Sequence, residues 1–240
     1  RFYEERIRDF LPDRIIDIHT HVWLERPRAA AVTGPRRTVT WPSRVARSNS
    51  IEDHLESYRL LFPGKRALPM IFSNLGSTDD LDAANAYIQA SAAEHSLPSL
   101  LFATPRWSAE ELEQRVLAGG FLGVKSYLSL AEPYLPAGEI RIFDFFPPHQ
   151  LEVMDRHGWI AMLHVPRDKR LRDPVNLAQM LRIEERYPNV KLIVAHVGRA
   201  YCPEDVGNAF EVLGRTKRML FDISANTNAW VFARLIGAVG

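Results

Sequence analysis

The segment Asp17-Ile18-His19-Thr20-His21 places two imidazoles two residues apart. In an extended strand, residues i and i+2 project from one face, so His19 and His21 can aim their nitrogens at one point. Two neutral imidazole nitrogens converging in this way suit a divalent transition ion such as zinc. An HxH pair alone is as often structural. Two further histidines share its setting: His164 closes the apolar run Trp159–His164, and His196 closes Val190–His196. A lone histidine at such a place is usually a satisfied core or surface residue. Four of them at the ends of successive apolar runs are hard to explain by packing. His54, His95, His149 and His157 fall in helical or loop sequence and read as structural or solvent-exposed.

Other residues gather at the same run ends. Lys125 lies in Gly123-Val124-Lys125-Ser126-Tyr127, where a lysine directed inward is costly unless paired. It reads as a snorkelling strand-end lysine, as a contact for a substrate carboxylate, or as a carbamylated lysine bridging two metals. Arg106, Arg167 and Arg199 follow the third, fifth and sixth runs. Arginine forks bind carboxylates bidentately, which favours an anionic substrate, although each could instead be exposed or paired with a loop acid. Trp23 and Tyr127 read as pocket walls or as core. Asp17 is placed either to orient a ligand histidine or to serve the fold. His196, with an ordinary pKa near 6.5, suits proton transfer.

Positioning these residues requires strands that end at one place. Short runs rich in Ile, Val and Leu predict strands near Arg14–His19, Ala67–Phe72, Leu100–Thr104, Gly123–Tyr127, Trp159–His164, Val190–His196 and Met219–Ile223. Helices are predicted at Asp79–His95, Ser108–Ala118 (with Ser108 and Glu111 as a capping box), Pro148–Gly158, Asn176–Tyr187, Cys202–Leu213 (with Pro203 near its start) and Thr227–Val239. Strands apolar on both faces and alternating with helices indicate parallel βαβ units, at about 30 residues per step. An open doubly wound sheet and a closed barrel both fit this count. No GxGxxG follows the first strand and no GxxxxGK[ST] occurs, so the common nucleotide-binding reasons for an open sheet are missing. Residues from about 25 to 50 break the rhythm. Arg26–Ser50 carries Arg26, Arg28, Arg36, Arg37, Arg44 and Arg47 without an acid. The segment reads as a long solvated loop or as a lid that attracts anions.

Composition narrows the class. Of 240 residues, 46% are hydrophobic and 25% charged, the mix of a folded globular chain rather than a disordered or disulfide-dense one. Thirty basic residues against 29 acidic give a net charge of +1, too balanced to predict nucleic-acid binding. No apolar run reaches the roughly 18 residues of a membrane span, and the charged opening RFYEERIRDF is no signal peptide. The single Cys202 cannot form an internal disulfide. The expectation is one cytoplasmic domain acting on a small molecule, with no nucleic-acid or membrane partner and a homo-oligomer left open.

The set DxHxH on strand one, GVK on strand four, His on strand five and HVG on strand six resembles the amidohydrolase superfamily. It is most similar to the amidohydrolase-related (amidohydrolase 2) branch of metal-dependent hydrolases and decarboxylases. The match in order and spacing runs from Ile15 to Asp222. The resemblance implies an α/β fold, a (β/α)8 TIM barrel. It implies a divalent metal, zinc or else manganese, held by His19, His21 and His164. It makes His196 a further ligand in binuclear members or the acid/base beside the metal in mononuclear ones. Lys125, Tyr127, Arg106, Arg167 and Arg199 are then the candidates for substrate binding. The implied activity is hydrolysis of an ester, lactone or amide by metal-activated water. Non-oxidative decarboxylation and a catalytically inactive metal-binding barrel are the alternatives. The family also places an aspartate at the end of strand eight. Met219–Ser224 resembles strand seven, with Asp222 in an FDxS pattern, and Thr227–Val239 the helix after it. The eighth strand is therefore expected to be missing from the sequence as given.

Overall fold

The computed structural model describes residues 1–24, 46–74 and 80–240. Seven strands run in parallel: β1 (Arg14–His21), β2 (Arg66–Phe72), β3 (Leu101–Phe102), β4 (Gly123–Ser126), β5 (Ile160–Leu163), β6 (Lys191–Val194) and β7 (Leu220–Phe221). β1 pairs with β2, and β3 through β7 pair in chain order. Ile71 joins the two sets by accepting from Leu100 N and donating to Pro98 O, at 3.0 and 2.9 Å. Each strand thus lies beside its predecessor, the succession of a TIM-type barrel. Among the described residues no ladder joins β7 to β1 and no eighth strand is present.

Helices follow the strands: α1 (Ile51–Leu61), α2 (Leu81–His95), α3 (Ala109–Gly119), α4 (Pro148–His157), α5 (Pro174–Arg186), α6 (Ala209–Leu213) and α7 (Ala229–Val239). Their ends follow local chemistry. Asp80, Ser108, Asp173 and Asn228 cap the starts of α2, α3, α5 and α7 through their side chains. Gly158 closes α4 in the left-handed region at φ 65°.

Several elements differ from expectation, α7 among them, which starts at Ala229 rather than Thr227. α1 was not foreseen; Ser50 and Asp53 form a capping box at its start, but only Ile51 is buried, so its apolar stripe is thin. The helix expected over Cys202–Leu213 shrinks to a 3₁₀ turn at Pro203–Asp205 and a short helix from Ala209, because Gly207 at φ 54° interrupts it. α5 starts at Pro174, two residues early, because Asp173 accepts from Val175 N at 2.9 Å. Of the Arg26–Ser50 stretch, residues 26–45 lie outside the described residues, as does Asp79 of the expected second helix.

The core has two shells. Outside the strands, Ile88, Leu112, Val116, Leu151, Met154 and Ile183 pack helix faces onto the sheet. Inside, Met70, Phe72, Leu100, Met162, Ile193 and Ala195 form a separate apolar plug. Each of these side chains larger than alanine contributes about 2 kcal/mol by leaving water. The plug forms the floor beneath the carboxyl ends of the strands. No described helix is long and apolar enough to cross a membrane.

Candidate metal centre

The pairing register of β1 against β2 slips between Asp17 and Thr20. Ile18 packs on the inner plug while His19 lies edge-on to Phe72, so consecutive residues both face inward, the effect of a bulge. Beyond the slip His19 and His21 share a face, and their Nε2 atoms stand 3.3 Å apart. His164 comes directly after β5 and His196 two residues after β6. The His196 ring lies 4.6 Å from that of His19 and 5.2 Å from that of His164. The four histidines picked from sequence therefore form one cluster.

The Nδ1 partners decide the tautomers. His21 Nδ1 stands 2.8 Å from the Ser73 carbonyl, which can only accept, so Nδ1 carries the proton. His196 Nδ1 likewise donates to the Ser224 carbonyl at 2.8 Å. His19 Nδ1 stands 2.8 Å from Asp222 Oδ2. Asp222 follows β7 and is buried, yet its carboxyl titrates below the ordinary range. Burial opposes that shift; the His19 and Ser224 hydrogen bonds and the His19 charge outweigh it. The aspartate is thus a carboxylate, and His19 Nδ1 donates to it. In all three rings Nε2 is left as a lone pair.

Two lone pairs 3.3 Å apart repel unless a cation or a donor lies between them. Lys125 Nζ, fully buried above the Phe72 ring, reaches His19 Nε2 at 3.0 Å, and the Tyr127 hydroxyl lies 3.4 Å from His21 Nε2. Burial, and then the Lys125 charge, push the His19 imidazole down to about 3 and hold that of His21 well below its usual value. His164 is depressed by burial and the charges of His196 and Arg199, and its buried Nδ1 has no hydrogen-bond partner among the described residues. Burial lowers His196 too, against the pull of Asp222. Lys125 itself is pushed down to about 7 by burial, against the attraction of Asp222. Neutral imidazoles with lone pairs turned inward are what a metal ion requires. The donor set therefore fits a divalent ion. His19, His196 and Asp222 can also offer atoms that all lie within 4.8 Å of one another.

The remaining residues singled out from sequence are spread more widely. Tyr127 packs edge-on to Phe102 and His164 and borders the cluster. Arg199, half-buried, donates to the Val165 carbonyl at 3.3 Å, and its charge is felt by His164 and His196. Arg106 is exposed and reaches Glu132 at 3.4 Å. Arg167 lies 3.0 Å from Asp173 and donates to the Glu139 carbonyl. Trp23 donates to the Arg47 carbonyl. Asp17 takes the backbone N–H of His19 on one oxygen and the Tyr58 hydroxyl on the other. Sequence reasoning missed Ser73, Asn49 and Tyr58. Ser224 had a signal, its i+2 spacing from Asp222.

One backbone feature shapes the cluster. His196, Val197, Gly198 and Arg199 all have φ between 52° and 62°, a left-handed turn in which only glycine is at ease. Asp222 Oδ1 accepts the His196 N–H at 3.0 Å, and Val197 N donates to the Asp222 carbonyl at 2.8 Å, so β7 holds the turn against the barrel mouth.

Comparison with known proteins bears on the fold and the family. A solved amidohydrolase II is 16% identical at a TM-score of 0.55, covering 94% of this chain and 83% of its own. A Staphylococcus aureus protein assigned to the amidohydrolases is 13% identical at 0.57, covering 95% and 85%. 4-Oxalomesaconate hydratase from Rhodopseudomonas palustris is 17% identical at 0.55, covering 79% and 63%. At these identities the likeness shows the TIM-barrel type of fold. No curated protein sequence matches the chain. The amidohydrolase family model matches residues 16–240, nearly the whole length. The chain belongs to the amidohydrolase family, whose members are generally metal-dependent hydrolases or related enzymes.

Proposed function

We propose that the protein is a metal-dependent hydrolase that cleaves an ester, lactone or amide bond in a small, carboxylate-bearing molecule. The observation that carries this is the pair of imidazole Nε2 lone pairs 3.3 Å apart, each ring fixed by a proton donated from Nδ1. His19, His21 and His164 would hold the ion, and an all-nitrogen set of three favours zinc, with manganese second. Asp222 then acts through His19 as the carboxylate partner usual for a ligating imidazole, rather than as a ligand itself. Bound there, such an ion supplies Lewis acidity to a water molecule and to a substrate carbonyl.

The chain's own residues do the rest. Asp222 and Ser73 fix the rings of His19 and His21. His196, with Nδ1 donating to Ser224, has a free lone pair on Nε2: it takes a proton there from the attacking water and hands that proton to the alkoxide or amine that departs as the acyl bond breaks. The Tyr127 hydroxyl offers a hydrogen bond beside His21. Arg199 is the arginine of the three that would take the substrate carboxylate, since Arg106 and Arg167 already face Glu132 and Asp173.

The test is metal content followed by product analysis. The purified chain should bind about one or two equivalents of zinc, and the His19→Ala/His21→Ala double variant none; full occupancy in the variant would sink the site assignment. The zinc-loaded chain, given a panel of lactones, esters and amides bearing carboxylates, should release new carboxyl groups. Carbon dioxide release without them would mark a decarboxylase instead.

A further inference from the structure

We propose that the segment Asn49–Tyr58, the end of the first long connection and the start of α1, is a positioning clamp for the two β1 histidines. The inference rests on the reading that His19 and His21 ligate a metal through Nε2.

Two side chains from this segment hold β1 on either side of the histidines, Tyr58 through the Asp17 carboxylate and Asn49 directly on the backbone. Tyr58 donates its hydroxyl to Asp17 Oδ2 at 2.8 Å, and Asp17 Oδ1 takes the His19 N–H at 3.0 Å. That amide falls where the register of β1 against β2 slips. A side-chain acceptor satisfies the N–H that the slip removes from the ladder. At the other end, Asn49 Nδ2 donates to the His21 carbonyl at 2.7 Å, while its backbone exchanges two hydrogen bonds with Trp23 at 2.8 and 2.9 Å. The segment is itself anchored: Ser50 and Asp53 cap α1, and Ile51 N donates to the Tyr87 hydroxyl of α2 at 2.9 Å. The slip falls at His19, between the paired Asp17 and the paired Thr20 and His21, and among the described residues no β7 ladder backs β1 on its other side, so sheet pairing alone does not fix the angle between the two imidazoles. Tyr58, acting through Asp17, and Asn49 supply that constraint. Neither touches an imidazole Nε2, so both are positioning residues rather than ligands.

The measurements are zinc affinity by chelator competition and the visible spectrum of the cobalt(II)-loaded full chain, each alongside the melting temperature of the metal-free protein. Tyr58→Phe keeps the ring and loses only the hydroxyl. It should weaken zinc binding about 10- to 100-fold and shift the cobalt bands, with little change in melting temperature. Asn49→Ala should act in the same direction and serves if Tyr58→Phe does not fold. Asp17→Asn, which still accepts from His19 N and can donate to Tyr58, should retain most of the affinity. Unchanged zinc affinity and cobalt bands in Tyr58→Phe, whether or not the melting temperature falls, would overturn the clamp. The His19→Ala/His21→Ala variant separates the two ideas: if it keeps its metal the ligand assignment fails, whereas if it loses the metal while Tyr58→Phe binds normally, only the clamp fails.

Discussion

His19 Nδ1 and Asp222 Oδ2 stand 2.8 Å apart, a bond that joins the end of the first strand to the end of the seventh across 203 positions of sequence. Both side chains are almost wholly buried. The second oxygen of Asp222 takes the backbone N–H of His196 and of Ser224, each at 3.0 Å. One carboxylate thus fixes the tautomer of one histidine and the backbone of another.

Removing it should affect both. Asp222→Ala leaves a buried imidazole N–H and two backbone donors without their acceptor, so unfolding in urea should show a loss of about 3 kcal/mol. Asp222→Asn keeps an acceptor and should lose less. Both should bind zinc about 10- to 100-fold more weakly, because His19 loses the charge that fixes its ring. Wild-type affinity in Asp222→Asn would show that the negative charge is not what orients His19.

Acid should unfold the metal-free chain through its histidines. The folded pKa of His19 is depressed to about 3, and those of His21, His164 and His196 also lie below 6.5. The unfolded chain therefore binds more protons below pH 6.5. The stabilising contribution is fully present above that pH and is lost as pH falls from about 6.5 toward 3. Each histidine gives a slope of up to about 1.4 kcal/mol per pH unit. Urea midpoints of chelator-treated protein between pH 7 and 4 check this, and a flat profile would contradict the neutral cluster.

Lys125 gives a separate window. Its folded pKa of about 7 lies below the usual lysine value, so the unfolded chain binds more protons between about pH 7 and 10. Stability of the metal-free chain should therefore rise with pH across that range. Lys125→Met, close in volume and without a charge, should flatten the rise. If the slope persists in the variant, another group titrates there.

The chemistry of the site was legible in sequence where it depends on strand periodicity. The i, i+2 spacing of His19 and His21, and the closing positions of His164 and His196, are local facts that the parallel order of strands converts into proximity. What sequence did not reveal depends on contacts between distant segments. Tyr58 and Asn49 matter because α1 returns to β1, and a helix with one buried residue has little periodic signal. Ser73 acts through its backbone carbonyl, which any residue type would supply. Arg106 and Arg167 sat at the right strand ends, but nearby acids set their direction. The Cys202–Leu213 pattern misled because Gly207 breaks a stretch whose composition otherwise suits a helix.

The left-handed turn that carries His196 supplies the last prediction. Gly198 sits at φ 62°, and a Cβ placed there would come within 2.5 Å of Leu171 Cδ1, itself fully buried. Gly198→Ala therefore meets two penalties: about 1 kcal/mol for a non-glycine residue in the left-handed region, and a packing clash of similar size. The sum, about 2 kcal/mol, should appear as a lower urea midpoint. A second variant separates the two parts. Leu171→Ala in the same chain removes the clash but not the backbone cost, while leaving a cavity of its own. The double variant should be less unstable than the two single losses added together, because they share one contact. Strict additivity would mean that Leu171 does not press on Gly198, and that the turn owes its glycine to backbone conformation alone.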